Sequence, residues 1–267
     1  MRRSGSASAT PTAARDGERR TPVAKVELFR ISAERNPVAV LWYQPRRPRG
    51  VSVIAGHGYS SSKQNLDFLC SFLATHGFGV YSLDFPGHKL GSSGGELRGV
   101  DDCIDAMRAV LRFARERGDA RAYTLGHSMG GMTAIFTAAL EPRVQGTIAI
   151  ATGYGRPTSL ETLRRVGVAD FRSSYVVGAS LPELVAGVDR RYGELLARLE
   201  GRPALYVAAN HDAMVSLASV KELYDRAPKP KSFATIESDH TYAAENARAT
   251  VLEWLNGRHA PAGSSLT

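Results

Sequence analysis

Two rhythms of apolar residues alternate along most of this chain. Short runs read as strands: Val23 to Ile31, Pro37 to Tyr43, Val51 to Ala55, Gly79 to Leu83, Ala122 to Leu125, Val144 to Ala151, Ala204 to Ala208 and Lys231 to Ile236. The first two flank a polar turn, Ala33-Glu34-Arg35-Asn36, and predict a hairpin. Val51-Ser52-Val53-Ile54-Ala55 has the composition of a central parallel strand, buried on both faces. Between the runs the period changes. Leu66, Phe68, Leu69, Phe72 and Leu73 recur at helical spacing, with Gly77 placed as a C-cap. A longer helix opens at Asp101, taken as its cap, with Ile104, Met107, Val110, Leu111 and Phe113 on one side and Arg108, Arg112, Arg115 and Glu116 on the other. Met129 to Leu140, Leu217 to Arg226 and Tyr242 to Leu255 complete the helical set. Strand and helix in alternation predict an α/β fold, a mostly parallel sheet with helices on both faces.

The alternation lapses between Gly153 and Gly201, where Leu160 to Val166, Leu181 to Val188 and Gly193 to Leu199 form short helical pieces. That stretch predicts a cap inserted over the sheet. The division is then a basic tail over 1–22 without apolar periodicity, expected to be disordered; a core over 23–152 and 202–257; a cap over 153–201; and a flexible end over 258–267.

Composition narrows the function classes. The formal charge of +8 raises the question of anionic partners, but much of it lies in the first twenty residues and in Arg46-Arg47-Pro48-Arg49. No basic stripe interleaved with aromatics suggests a nucleic-acid grip. Cys70 and Cys103 form no disulfide framework and no metal spacing. No apolar run is long enough to span a bilayer, and the basic start lacks the apolar segment of a signal peptide. The expectation is a cytoplasmic protein, with no nucleic-acid partner, no cofactor and no metal.

One stretch carries chemistry. Gly126-His127-Ser128-Met129-Gly130 has the form G-x-S-x-G and stands between a strand and a helix, the setting of a nucleophile elbow. Its glycines answer a need for close backbone approach around a strained serine.

With the elbow stand four further features: His57-Gly58 after Val51–Ala55, Asp84-Phe85-Pro86-Gly87-His88 after Gly79–Leu83, Asp212 after a late strand, and His240 after the last one. Together they make the chain resemble an α/β-hydrolase from about Val23 to Leu255, among small serine esterases, monoacylglycerol-lipase-like and serine aminopeptidase-like hydrolases. The order Ser, Asp, His is the one this fold uses. The resemblance implies Ser128 as nucleophile, His240 as its base and Asp212 as the acid that orients the imidazole. Asp239 and Asp84 are rival acids. The oxyanion hole is expected from the backbone N–H groups of Met129, at the helix start, and of Tyr59, whose role the resemblance supplies.

The other histidines take structural roles in this reading: His57 and His127 orienting loops, His88 in a turn, His76 at a helix end, His259 in the tail and His211 exposed. The expected reaction is ester hydrolysis through an acyl-enzyme on a small-molecule substrate. A thioester of CoA or a carrier protein is one alternative, and a ligand-binding homologue without turnover is another. Arg156, Arg164, Arg165, Arg172, Arg190 and Arg191 in the cap either meet an anionic substrate or, more plainly, form a solvated surface.

Overall fold

The computed structural model describes residues 23–155 and 167–260. Its strands are β1 (Val23–Ile31), β2 (Val38–Pro45), β3 (Val51–Gly56), β4 (Gly79–Leu83), β5 (Arg121–His127), β6 (Val144–Ile150), β7 (Ala204–Ala209) and β8 (Lys231–Ile236). They make one sheet in the order β1-β2-β4-β3-β5-β6-β7-β8. β1 and β2 are the expected hairpin, β2 meets β4 antiparallel, and every pairing from β4 onward is parallel.

The helices are α1 (Asp67–Thr75), α2 (Val100–Glu116), α3 (Met129–Leu140), α4 (Val168–Ser173), α5 (Leu181–Val185), α6 (Val188–Leu195), α7 (Leu217–Arg226), α8 (Ala243–Asn246) and α9 (Arg248–Asn256). They cover both faces of the sheet. Side chains alternate across a strand, so β3 sends Val51, Val53 and Ala55 into the core under α1 and α9, and Ile54 into the core under α2 and α3. This is the α/β-hydrolase arrangement, with a parallel sheet presenting the carboxyl ends of β3, β5, β7 and β8 on one rim.

Four expectations are revised in detail. Asp101 is not the cap of α2: Gly99 occupies that place, and Asp101 and Asp102 lie in the first turn, where Asp102 bonds Arg35 at 2.6 Å. The last helix is two, because the chain turns at Ala247. Ala243, Ala247, Val251 and Leu255 keep helical spacing into one core across the junction, so the pattern hides the break. In the cap, the expected Leu181–Val188 helix stops at Val185, where Ala186 turns extended (ψ 126°) and Gly187 is left-handed (φ 75°); α6 and a 3-10 turn, Leu196–Leu199, follow. Finally, 258–260 are held against the core, since His259 Nε2 and the Tyr123 hydroxyl are 2.9 Å apart and Arg49 donates to the His259 carbonyl at 2.8 Å, while 261–267 lie outside the described residues. The expected tail over 1–22, the helical piece Leu160–Val166, and Arg156, Arg164 and Arg165 lie outside the described residues.

The cap is fastened to the loop between β4 and α2. Val177 donates to the Gly87 carbonyl at 2.8 Å, Leu97 to Val177 at 2.9 Å and Lys89 N–H to Tyr175 at 2.9 Å. None of the described helices is long and apolar enough to cross a membrane.

Candidate active site

β5 ends in the elbow. Ser128 sits between His127 and α3 with φ 55° and ψ −114°, a conformation that costs about 1–3 kcal/mol and persists only where neighbours enforce it. Two bonds do so: Ser128 N–H donates to Ile150 on β6 at 2.8 Å, and its carbonyl accepts from Met132 at 3.2 Å. The glycines are required by proximity. A Cβ on Gly130 would stand 2.0 Å from the Gly56 carbonyl oxygen, and one on Gly126 would stand 2.0 Å from that of Gly130. Met129 is the first residue of α3, so its N–H has no acceptor within the helix.

The loop after β7 holds Asp212 in a tight turn. Its Oδ1 accepts from the N–H groups of Met214 at 2.8 Å and Val215 at 2.7 Å, leaving Oδ2 to face His240 Nδ1 at 2.7 Å. The carboxylate side chain has no exposed surface and the imidazole very little. Burial pushes the Asp212 carboxyl up, but the hydrogen bond and charge of His240 and the two backbone donors outweigh it, holding the group below its ordinary value. Since a carboxylate accepts, the His240 proton belongs on Nδ1, which leaves Nε2 a lone pair. His127 Nε2 donates to the His240 carbonyl at 2.8 Å and fixes that loop against the elbow.

A cavity opens on this rim. Ser128, His127, Gly58 and Tyr59 form one wall with His240 and Thr241; Leu66, Leu181, Met214 and Ala244 supply apolar lining; Ser61, Asn65 and Arg172 complete it. Asp212, His240 and Ser128 are thus brought to one place from three strand ends, with Tyr59 beside them and Met129 next to the serine. The rival acids are engaged elsewhere. Asp239 accepts from Tyr242 N–H at 2.9 Å on an exposed turn, and Asp84 pairs with a lysine.

A family model described as serine aminopeptidase, S33, matches residues 46–200, more than half of the 267. The chain belongs to this family. With it, the S33 chain belongs to the serine hydrolases of α/β-hydrolase fold. An esterase of Pyrococcus furiosus superposes with a TM-score of 0.69 at 18% identity, over 88% of this chain and 92% of that one. A bacterial membrane phospholipase A, described as a virulence factor, gives 0.66 at 19% identity over 88% and 87%. A cold-adapted esterase from an Arctic intertidal metagenomic library gives 0.65 at 19% over 91% and 97%. At these identities the likeness is one of fold. A protein of Mycobacterium phage D29, provisionally named a non-heme haloperoxidase, is 27% identical over 178 residues. The match covers 66% of this chain and 62% of that relative, so the S33 chain spans less than two thirds of the relative's length.

Beneath the Gly58-Tyr59-Ser60 loop of this S33 chain lies a polar scaffold that the motifs do not reveal. Phe85 N–H donates to His57 Nε2 at 3.0 Å, so the ring proton sits on Nδ1 and is given to the Gly58 carbonyl at 2.8 Å. Burial first, and the neighbouring His88 second, push the His57 pKa well below its ordinary 6.5 and keep the ring neutral. His88 is likewise depressed by burial; its Nδ1 lies 3.0 Å from the Pro86 carbonyl. Beside them, fully buried Asp84 accepts from Lys63 Nζ at 2.5 Å, Lys63 N–H at 2.7 Å and Ser92 N–H at 2.7 Å. Lys63 stands in the polar run Ser60-Ser61-Ser62-Lys63-Gln64-Asn65, which carries no signal of this role. Among the described residues, no group of three or more His, Cys, Asp or Glu is arranged to hold a metal.

Proposed function

We propose that this chain hydrolyses carboxylic esters through an acyl-enzyme on Ser128. The observation that carries the reading is the 2.7 Å approach of His240 Nδ1 to a buried Asp212 carboxylate at the cavity that Ser128 lines. In the first half-reaction Ser128 Oγ attacks the ester carbonyl carbon while its proton passes to His240 Nε2. Asp212 steadies the imidazolium. The carbonyl oxygen, now anionic, is received by the N–H groups of Met129 and Tyr59. As the C–O bond to the alcohol breaks, His240 gives its proton to the leaving oxygen. Water then attacks the acyl-enzyme, losing a proton to His240, and the acid departs as Ser128 takes that proton back.

An aminopeptidase, as the family's name would suggest, needs a carboxylate to hold the ammonium group of a peptide. Among the described residues the cavity lining contains no aspartate or glutamate, and Asp212 behind it is committed to His240 and two amides. The arrangement therefore favours esters over peptide amides. A thioester is cleaved by the same steps. The placement we favour is cytoplasmic, which the free, buried Cys70 and Cys103 fit.

The test is turnover of matched oxygen esters and thioesters across acyl lengths, with Ser128→Ala alongside and fluorophosphonate labelling as a second readout. Turnover and labelling that both vanish in the variant support the reading. Turnover that survives Ser128→Ala overturns it. Absence of both in the unaltered protein points to a binding role.

A further inference from the structure

The cap arginines are not equivalent. Arg191 is spent on Asp101 at 2.5 Å, and Arg190 lies 3.8 Å from Glu194 along its own helix. Both line a second groove, between the cap and the ends of α2 and α3, whose lining does not include the serine. Arg172 on α4 differs on each count. It is half-buried and lines the cavity that holds Ser128 and His240, where it is the one Asp, Glu, Lys or Arg side chain among the described lining residues. No carboxylate lies within 4.0 Å of it among the described residues. Its one hydrogen bond there runs from Nη1 to the Ser60 hydroxyl at 3.3 Å, a long contact with a neutral acceptor.

A guanidinium carries five N–H donors in a planar fork suited to a carboxylate or phosphate, and Ser60 engages one of them. A fixed charge facing a partly apolar cavity, with no counter-charge among the described residues, is an electrostatic arrangement that an anionic ligand completes. Ser60 follows Tyr59, so the guanidinium sits beside the loop that carries the proposed Tyr59 donor and lines the same cavity as Ser128. We propose that Arg172 is a specificity-determining residue that binds an anionic group, most simply a carboxylate, carried by the ester substrate. The inference rests on the hydrolase reading above and names its substrate class: half-esters and other esters bearing a negative charge a few atoms from the scissile bond. A bare role in fastening the cap to Ser60 would use one donor and would treat charged and neutral substrates alike.

The experiment compares 4-nitrophenyl hydrogen glutarate, which carries a carboxylate on the acyl side, with neutral 4-nitrophenyl pentanoate. A third probe, 3-carboxyphenyl pentanoate, carries the charge on the leaving group, so the arm that responds tells which side of the ester faces Arg172. Arg172→Met keeps the apolar stem and removes the fork; Arg172→Lys keeps the charge alone. Loss of a charge-assisted pair predicts that Arg172→Met lowers kcat/KM for one anionic ester by about 10- to 100-fold more than for the neutral one, chiefly through KM. Arg172→Lys is expected to recover part of that loss. A parallel fall on charged and neutral esters would overturn the proposal, because it marks a general effect on the loop or the oxyanion. Equal retention on all three would overturn it as well. Calorimetric binding of N-methylglutaramate against N-methylpentanamide, which cannot be cleaved here as esters, reads the same residue without turnover. If Ser128 is neither labelled nor active, the hydrolase reading falls, while a preference for the anion that disappears in Arg172→Met still upholds the anion site. No preference in that binding assay removes it.

Discussion

Replacing Asp212 by asparagine changes one charge and almost no volume, and the structure dictates how the new side chain must sit. Asp212 Oδ1 accepts from two backbone N–H groups, Met214 and Val215, and Oδ2 faces His240 Nδ1. An amide NH2 cannot accept, so the asparagine carbonyl has to keep the Oδ1 position and the NH2 turns to His240. A donor facing Nδ1 makes that nitrogen the acceptor and moves the ring proton to Nε2. That is the atom required to take the Ser128 proton, and it is then blocked. The imidazolium also loses its counter-charge. In serine triads this substitution lowers kcat by about ten-thousand-fold, equivalent to about 5.4 kcal/mol of barrier. The assay is kcat/KM on a 4-nitrophenyl ester together with the rate of fluorophosphonate labelling. Both backbone bonds survive, so Asp212→Asn is expected to keep its melting temperature within roughly 4 °C, about 1 kcal/mol in a protein of this size. Asp239→Asn is the control, expected within about twofold of the unaltered enzyme, because its exposed turn and its neutral backbone donor survive the change. Turnover above about a tenth of normal in a well-folded Asp212→Asn, or collapse in Asp239→Asn, would refute the reasoning.

The histidines beneath the oxyanion loop set a pH dependence of stability. Burial holds the folded pKa values of His57 and His88 below 6.5, so the unfolded chain binds protons that the folded one refuses as pH falls through 6.5. Unfolding free energy should therefore decline on that side by up to about 1.4 kcal/mol per pH unit per ring, and urea midpoints between pH 8 and 5 should show it, with a shallower slope in His57→Gln; a flat profile removes the claim. Lys63→Met strips the buried Asp84 carboxylate of its cation and should cost about 3–5 kcal/mol, or roughly 6–20 °C in melting temperature. Adding Asp84→Asn should return part of that loss, and strict additivity would show that the pair is not coupled. In Gly58→Val the new Cβ stands 3.3 Å from His127 Nδ1 and 3.5 Å from Ser128 Cβ, so its methyl groups crowd the place of the oxyanion. A fall of about 100- to 1,000-fold in kcat is expected, and full turnover would exclude the Tyr59 N–H as a donor.

What the chain discloses before folding depends on whether an interaction has a period. Met129–Leu140, Leu217–Arg226, Gly79–Leu83 and Lys231–Ile236 coincide with their expected bounds, the first of them closed by a sharp breaker, Pro142. The site is legible for a related reason. Ser128, Asp212 and His240 are placed by strand ends, and strand ends follow from the same alternation. The choice between Asp212 and Asp239 is of another kind, since it turns on where one carboxylate points. Lys63 and Asp84 are further out of reach. They meet because the 3-10 turn after β3 packs against the loop after β4, 21 residues apart in the chain, and nothing in Ser-Ser-Ser-Lys-Gln-Asn marks a buried cation. The cap arginines show the same limit from the functional side. As letters, Arg172 and Arg191 are interchangeable. What separates them is Asp101, 90 residues from Arg191, which neutralises the one and leaves the other facing the cavity. The catalytic steps we propose can thus be written from motifs and order, whereas the substrate charge we propose depends on which cations the described residues leave without a counter-charge.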